Sequence, residues 1–124
     1  MTYIPIDKLA ETMGKSLDET ARNIKIRLFN GVIRDTRVDT GRLRGNWQTT
    51  TGKPAKGEME RHDPVPQYED GGMSQEDVIS IVKGDTIDWL TNNLPYAAVW
   101  EMRDGMIDKN VARIERYVKE ELAK

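Results

Sequence analysis

The amino-acid sequence predicts an α+β fold, in which a long N-terminal amphipathic helix and a C-terminal helix pack on a small antiparallel sheet. Two stretches carry apolar residues at helical spacing, over 17–32 and 107–122. Two short segments between them, 47–51 and 86–91, have the composition of strands. Helical periodicity combined with alternating segments indicates helices packed on a sheet. A Gly/Pro-rich loop over 53–72 separates the two strands.

The N-terminal helix is predicted from one apolar stripe with spacings of four, three, four and four, formed by Leu17, Ala21, Ile24, Leu28 and Val32. Ser16 and Glu19 make a capping box, so a helix could begin at Ser16. The stripe also extends backwards through Ile6, Ala10 and Met13. We therefore predict a single helix over about 6–35, with Gly14 as a soft point.

The middle of the chain is predicted to hold one strand and one long loop. Residues 47–51 are rich in β-branched and aromatic types and are bounded by Gly45 and Gly52, which is typical of a strand. The next segment, 53–72, mixes prolines and glycines with charges. A loop of this length is usually disordered or used for binding. We expect it to be mobile in the isolated subunit and ordered by neighbours in an assembly.

The second half of the chain is predicted to alternate short elements before the terminal helix. A short helix opens at Ser74 and carries Val78, Ile79 and Val82, with Gly84 as its C-cap. Residues 86–91 alternate as a strand that stops at Asn92-Asn93. Because Trp89 lies inside this strand, we expect it in the core.

Two further helices are predicted after this strand. Pro95 fixes the backbone and presents Tyr96 near the start of a short helix through Trp100 and Glu101. The terminal helix follows from a second stripe, formed by Ile107, Val111, Ile114, Val118 and Leu122.

Composition limits the classes of protein that the chain can belong to. Its 124 residues predict a single domain, and with 37% apolar residues and one Phe we expect part of its apolar surface to be buried against other subunits. The absence of cysteine excludes disulfides and thiolate metal sites. The N-terminus, 1–5, lacks a leader pattern and no eighteen apolar residues are consecutive, which argues against secretion and membrane spanning.

The triplet Asp39-Thr40-Gly41 also occurs in aspartic proteases, some of which are dimers of short chains. Those enzymes set the triplet between strands of an all-β fold, whereas here it follows a long predicted helix and precedes the charged Arg42. The simpler interpretation is an Asx-turn, in which the Asp39 carboxylate accepts from backbone N–H groups ahead of Gly41.

Other catalytic chemistry has little support in the sequence. His62 is the only histidine, and its neighbours Glu60 and Asp63 lack the paired spacing of a zinc site. One histidine in a loop leaves at most one base for a nucleophile. The glycines Gly41 and Gly45 are not followed by the Lys-Ser/Thr of a phosphate loop. We predict a protein without catalytic activity, cofactor or metal.

Arginines concentrate around the first strand in a chain whose formal net charge is −2. They are Arg34, Arg37, Arg42 and Arg44. Their planar forks suit carboxylates of an adjacent subunit or phosphates of DNA, and a solvated turn is the third alternative. Because Arg and Trp are enriched at the centres of protein contacts, the nearby Trp47 favours an interface.

Two segments together resemble a known family. They are Val38-Asp39-Thr40-Gly41-Arg42-Leu43-Arg44-Gly45-Asn46-Trp47 and, about fifty residues later, Asn92-Asn93-Leu94-Pro95-Tyr96-Ala97. Both resemble motifs of the neck and tail-completion proteins of tailed bacteriophages, and their order along the chain is the one the family shows. Many relatives have Pro where Arg37 stands, and the segment from Glu101 to Gly105 is shorter here than in many of them.

The resemblance implies a structural virion protein at the neck, assembled as a ring of six subunits between the head connector and the tail tube or terminator proteins. Genomic DNA would pass through the lumen without sequence-specific binding, and no membrane is involved. The residues expected at interfaces are Arg37, Asp39, Arg42, Arg44, Asn46, Trp47, Asn93, Pro95, Tyr96 and Trp100. We expect Arg42 and Arg44 to matter for assembly and Trp47 for folding.

Two alternatives to a virion protein remain open at this point. A nucleic-acid-binding regulator would use the arginines of 34–44, although the chain has no helix-turn-helix pattern and is acidic overall. A small adaptor-type or toxin-antitoxin interaction domain would explain the amphipathic helices without a ring.

Overall fold

A computed structural model describes residues 4–124, which fold into helices around a two-stranded antiparallel sheet. The helices are α1 (Ile6–Met13), α2 (Leu17–Arg34), α3 (Arg42–Gly45), α4 (Met73–Ile81), α5 (Ala97–Asp104) and α6 (Met106–Leu122). The strands are β1 (Gln48–Thr51) and β2 (Asp88–Thr91), in a register that pairs Gln48 with Thr91 and Thr51 with Asp88. The predicted α+β class is confirmed.

The N-terminal region is two helices, so the prediction of one helix over 6–35 is wrong. Gly14 adopts a left-handed conformation, with φ of 67°, and ends α1. Ser16 then starts α2, because its side chain accepts a hydrogen bond from Glu19 N at 3.1 Å. The break lets α1 fold back, so that Leu9 is buried in an apolar cluster with residues of α2 and α6.

The main core lies where α2, α4 and α6 meet the start of β1. Its buried residues are Val32, Ile33, Trp47, Val78, Val82 and Met106. A second cluster, between α1, α2 and α6, contains Leu9, Ile24, Ile114 and Val118. Both predicted helical stripes therefore contribute to the interior, as amphipathic helices do.

Gly84 does not cap α4, in contrast to the prediction. The helix ends at Ile81, and the capping residue Val82 is extended, with φ of −69° and ψ of 130°. Gly84 instead lies against the backbone at the start of α2, where a Cβ would come within 1.9 Å of Asp18 O. A glycine is therefore needed for this close approach.

Trp89 is 41% exposed, so its expected place in the core is also wrong. The strand alternates as predicted, but Leu90 is the residue that packs against the main core. Successive strand residues point to opposite faces. Since Leu90 faces the main core, Trp89 lies on the opposite face of the sheet, which is left open.

An ion pair joins α2 to the beginning of β2. Lys25 Nζ lies 3.0 Å from Asp88 Oδ2, and the hydroxyls of Thr51 and Thr86 donate to the same carboxylate at 2.9 Å each. Burial acts to raise the pKa of Asp88, but these hydrogen bonds outweigh it, and the pKa lies below its ordinary value.

This lowered pKa predicts a stability term that disappears in acid. A carboxylate with a depressed folded-state pKa stabilises the fold above the unfolded-state pKa, and that contribution is lost as the pH falls through the folded-state value. We expect the gap in unfolding free energy between wild type and Asp88→Asn, measured in urea titrations, to be large at neutral pH and to shrink as the pH falls below 3.8, the ordinary pKa of an aspartate. Asp85→Asn, at an exposed position three residues earlier, is the matched control. A gap that stays constant with pH would contradict the assignment.

The described helices have no membrane-spanning candidate, since none within 4–124 is both long and apolar enough to cross a bilayer. The expectation that the N-terminus carries no leader concerns residues 1–5, of which 1–3 lie outside the described part of the chain.

Candidate interaction surface

The two sequence motifs, about fifty residues apart in the chain, meet in the structure. The Asn92 side chain donates to Leu43 O at 2.8 Å, and its Oδ1 accepts from Leu94 N at 3.3 Å. Leu43, Leu94 and Ala97 form a small buried cluster against which Trp100 packs. The first motif, α3 and the start of α5 therefore make one continuous surface.

The glycines of the first motif allow a loop to run directly against it. Gly41 has a φ of 88°, and a Cβ on it would come within 2.7 Å of the Asp63 backbone. A Cβ on Gly45 would lie 2.4 Å from Arg61 O. The predicted Asx-turn at Asp39 is replaced by a turn in which Thr40 Oγ1 accepts from Arg42 N at 3.3 Å. The motif is thus a docking place for 61–63 of the same chain.

Arg44 is fully buried, so the structure corrects its expected role as an exposed interface residue. Its Nη2 donates to Glu69 O at 3.1 Å and to Gly71 O at 2.8 Å, and its Nε lies 3.6 Å from Asp63 Oδ2. Burial lowers the pKa of Arg44. Asp63 and other nearby carboxylates act to raise this pKa, but the effect of burial is larger. Arg44 therefore anchors the second half of the loop inside the subunit.

Asp63 connects this anchor to α4. Its carboxylate is buried with Arg44 and accepts from Ser74 N, in the first turn of α4, at 3.1 Å. A Cβ on Gly72 would lie 2.2 Å from this carboxylate. One buried ion pair thus joins α3, the loop and the start of α4. Asp63 was not singled out in the sequence as a partner of Arg44, because nothing in their spacing of nineteen residues signals contact.

Asn46 and Trp47 are also inside the subunit, which corrects their expected direct role in contacts between subunits. The Asn46 side chain donates to Met59 O at 3.1 Å and accepts from Met59 N at 2.7 Å, as a backbone strand would. Trp47 Nε1 donates to Thr36 Oγ1 at 2.8 Å in the main core. Both residues therefore stabilise the first motif from inside the subunit.

The loop over 53–72 contains no helix or strand and bonds to the first motif at several points. Arg61, which the sequence analysis did not single out, donates to Gly45 O at 2.7 Å and to Trp47 O at 3.1 Å, and pairs with Asp77 at 2.5 Å. His62 is exposed and its Nδ1 lies 3.1 Å from Thr40 O. Whether the loop moves in the isolated subunit stays a prediction.

The remaining interface candidates lie on the outside, around a groove of about 170 Å³. Its lining includes Arg37, Asp39, Arg42, Tyr96 and Trp100. The Arg37 guanidinium lies 4.3 Å from the centroid of the Trp100 ring and 3.4 Å from Asp104. Arg42 pairs with Glu58 at 3.1 Å. Pro95 is exposed beside the groove, and Asn93 donates to Ala55 O and Gly57 O at 2.9 and 3.0 Å.

Helix α5 adds exposed apolar side chains that the sequence analysis missed. Met102 is 87% exposed and Val99 is 46% exposed, next to the half-exposed Tyr96. Their spacing of three along a short helix was the available signal. We define the α5 surface as Tyr96, Val99 and Met102 together with Arg37 and Arg42. An apolar centre flanked by arginines is typical of a protein contact.

The chemistry of this region is that of contact residues. Asp39 is exposed in the link between α2 and α3, and the described residues contain no group of three His, Cys, Asp or Glu that could hold a metal. Comparisons of the chain with family models, curated proteins and solved structures found no match. The resemblance to phage neck proteins therefore depends on the two motifs of the sequence.

Proposed function

We propose that this protein is a structural subunit of the neck of a tailed bacteriophage. It forms a closed ring of six subunits that completes or terminates the tail and joins it to the head connector, and DNA passes through the lumen. The observation that carries the proposal is the convergence of the two motifs, since Asn92 and Leu94 of one pack on Leu43 of the other. Residues that carry a family resemblance in two distant segments thus build one surface.

The charges of this surface support a contact with protein over a contact with nucleic acid. Arg44 is buried against Asp63, Arg37 is paired with Asp104, and Arg42 is paired with Glu58. Carboxylates of the same subunit therefore offset much of the positive charge that phosphate binding requires. The exposed Val99 and Met102 instead favour an apolar partner.

The test combines a pair of surface substitutions with particle assembly. We expect Val99→Ser with Met102→Ser to lower the yield of infectious, head-joined particles while the isolated subunit melts as wild type, because exposed side chains contribute little to folding. Native mass spectrometry of the wild-type protein should detect the ring, and purified virions should contain it.

The matched control is Met73→Ser with Ile79→Ser on α4, which changes the same kinds of side chain at 48% and 53% exposure. This control pair should assemble normally. A wild-type protein that stays monomeric at high concentration and is absent from virions would exclude the proposed function.

A further inference from the structure

A large groove with an apolar wall and two cations opens between α1, α2 and α6. It measures about 410 Å³, and its apolar wall comes from Leu9, Met13, Ile24, Ile26 and Tyr117. Lys15 and Arg27 line the same groove. Within residues 4–124 neither cation makes an ion pair. Arg27 lies 3.9 Å over the Tyr117 ring, which brings no compensating negative charge.

An exposed turn between α4 and β2 carries an apolar side chain and a carboxylate that could fill this groove. Ile87, at its end, is 71% exposed. Asp85 is exposed too, and among the described residues it has no ion-pair partner. The turn thus presents one large apolar side chain and one unpaired carboxylate, with the exposed Lys83 at its other end.

Side chains of α2 hold this turn in place. Arg22 donates to Val82 O at 3.0 Å and to Ile79 O at 2.8 Å. Lys25 Nζ donates to Lys83 O at 2.8 Å and to Thr86 O at 2.5 Å, besides its bond to Asp88. A turn that is already fixed loses little conformational freedom when it binds. The protein therefore immobilises a turn whose apolar residue is left uncovered.

The turn and the groove lie on opposite sides of α2. Arg22 and Lys25 contact the turn, whereas Thr20, Asn23 and Arg27 line the groove. With about 3.6 residues per helical turn, these two sets are separated by roughly half a rotation around the helix axis. A contact between the turn of one copy and the groove of the next would be head-to-tail, the type of contact that closes into rings.

We propose that the turn over 83–87 of one subunit docks in the α1/α2/α6 groove of a second copy of this chain. Ile87 is the apolar anchor, and Asp85 faces Lys15 and Arg27 of that copy. This contact rests on the proposed function, since it assumes that the protein forms a ring, and it would be the contact between neighbouring subunits of that ring. The uncovered apolar anchor and the unpaired Asp85 carboxylate, which matches the two unpaired cations of the groove, support this occupant.

Met102 is more exposed than Ile87 but fits the groove less well as an anchor. The charged residues that follow Met102 already have partners within the subunit. Arg103 lies 5.4 Å from the centroid of the Trp100 ring, and Asp104 pairs with Arg37. Asp85 remains available to meet the two cations. The α5 surface is thereby left for other proteins of the neck.

The experiment measures self-association of the full chain by analytical ultracentrifugation and native mass spectrometry. We expect Ile87→Ser to weaken association by about tenfold or more, whereas Ile79→Ser, an equally simple truncation of an exposed isoleucine, leaves it unchanged. Asp85→Lys and Lys15→Glu should each weaken association. Combined in one chain, the two reversals should recover part of the association, since Arg27 keeps its positive charge; a folding defect could not produce this rescue.

The outcomes separate this inference from the proposed function. A ring that forms as readily with Ile87→Ser as with wild type, or charge reversals that show no mutual rescue, would overturn the contact and leave the neck function standing. A wild-type protein that stays monomeric at every concentration would overturn the contact, and one that is also absent from virions would overturn both.

Discussion

We expect Arg44→Ala to lower the unfolding free energy by about 3–5 kcal/mol, because it leaves the buried Asp63 carboxylate without a counter-charge. The substitution also removes the donor to Glu69 O and Gly71 O, which hold the end of the loop. Urea titrations of the isolated subunit measure this loss directly. The expected defect is in folding, so fewer assembled particles would follow only as a consequence.

Arg42→Ala is the matched control for this prediction. Arg42 has the same side chain two positions earlier, but it is 39% exposed and its partner Glu58 is 43% exposed. Exposed ion pairs contribute at most about 1 kcal/mol. Adding Asp63→Asn to Arg44→Ala should recover part of the loss, since the uncompensated charge is then removed. If Arg44→Ala and Arg42→Ala were equally stable, the buried pair would not have the role assigned to it.

Trp47→Ala is expected to cost about 3–5 kcal/mol, since it empties the centre of the main core. Trp47→Phe should lower the unfolding free energy by less, because it keeps much of the buried apolar area. Its main loss is the hydrogen bond to Thr36, for which about 1 kcal/mol is typical. Thermal and urea unfolding of both variants give the two values.

Trp89→Ala provides the comparison for Trp47. Both residues are tryptophans of the sheet region, but Trp89 is 41% exposed and lies on the open face. Its truncation should cost well under half as much, because half-exposed side chains lose less buried area. Equal losses at the two positions would mean that the open face is covered in the folded subunit.

Local patterns in the sequence were sufficient for most of the secondary structure. The stripe from Leu17 to Val32 predicted α2, and Ser16 marked the N-cap that precedes it. The terminal stripe predicted α6, and the turn residues around 52 and 92 bounded the two strands. Periodicity and capping act between residues a few positions apart, so the sequence displays them directly.

The candidate surface was only partly predictable. Both motifs were recognised from the sequence, and Arg37, Asp39, Arg42, Tyr96 and Trp100 do line one groove. Val99 and Met102 were missed because they lie just outside the second motif. Arg61 was missed because it donates to the backbone carbonyls of Gly45 and Trp47, and every residue has a backbone carbonyl, so the sequence gives no signal for such a contact.

By itself, the sequence determined the α+β class, the order of α2, β1, α4, β2, α5 and α6, and the two motifs that suggest a phage neck protein. Only the tertiary structure decided which members of each pair of like residues are buried: Arg44 and not Arg42, Trp47 and not Trp89. The reason is that burial here depends on contacts distant in sequence. The loop over 53–72, which has no periodic pattern, covers Arg44, while Trp89 lies on the face of the sheet opposite to Leu90, which packs against the main core.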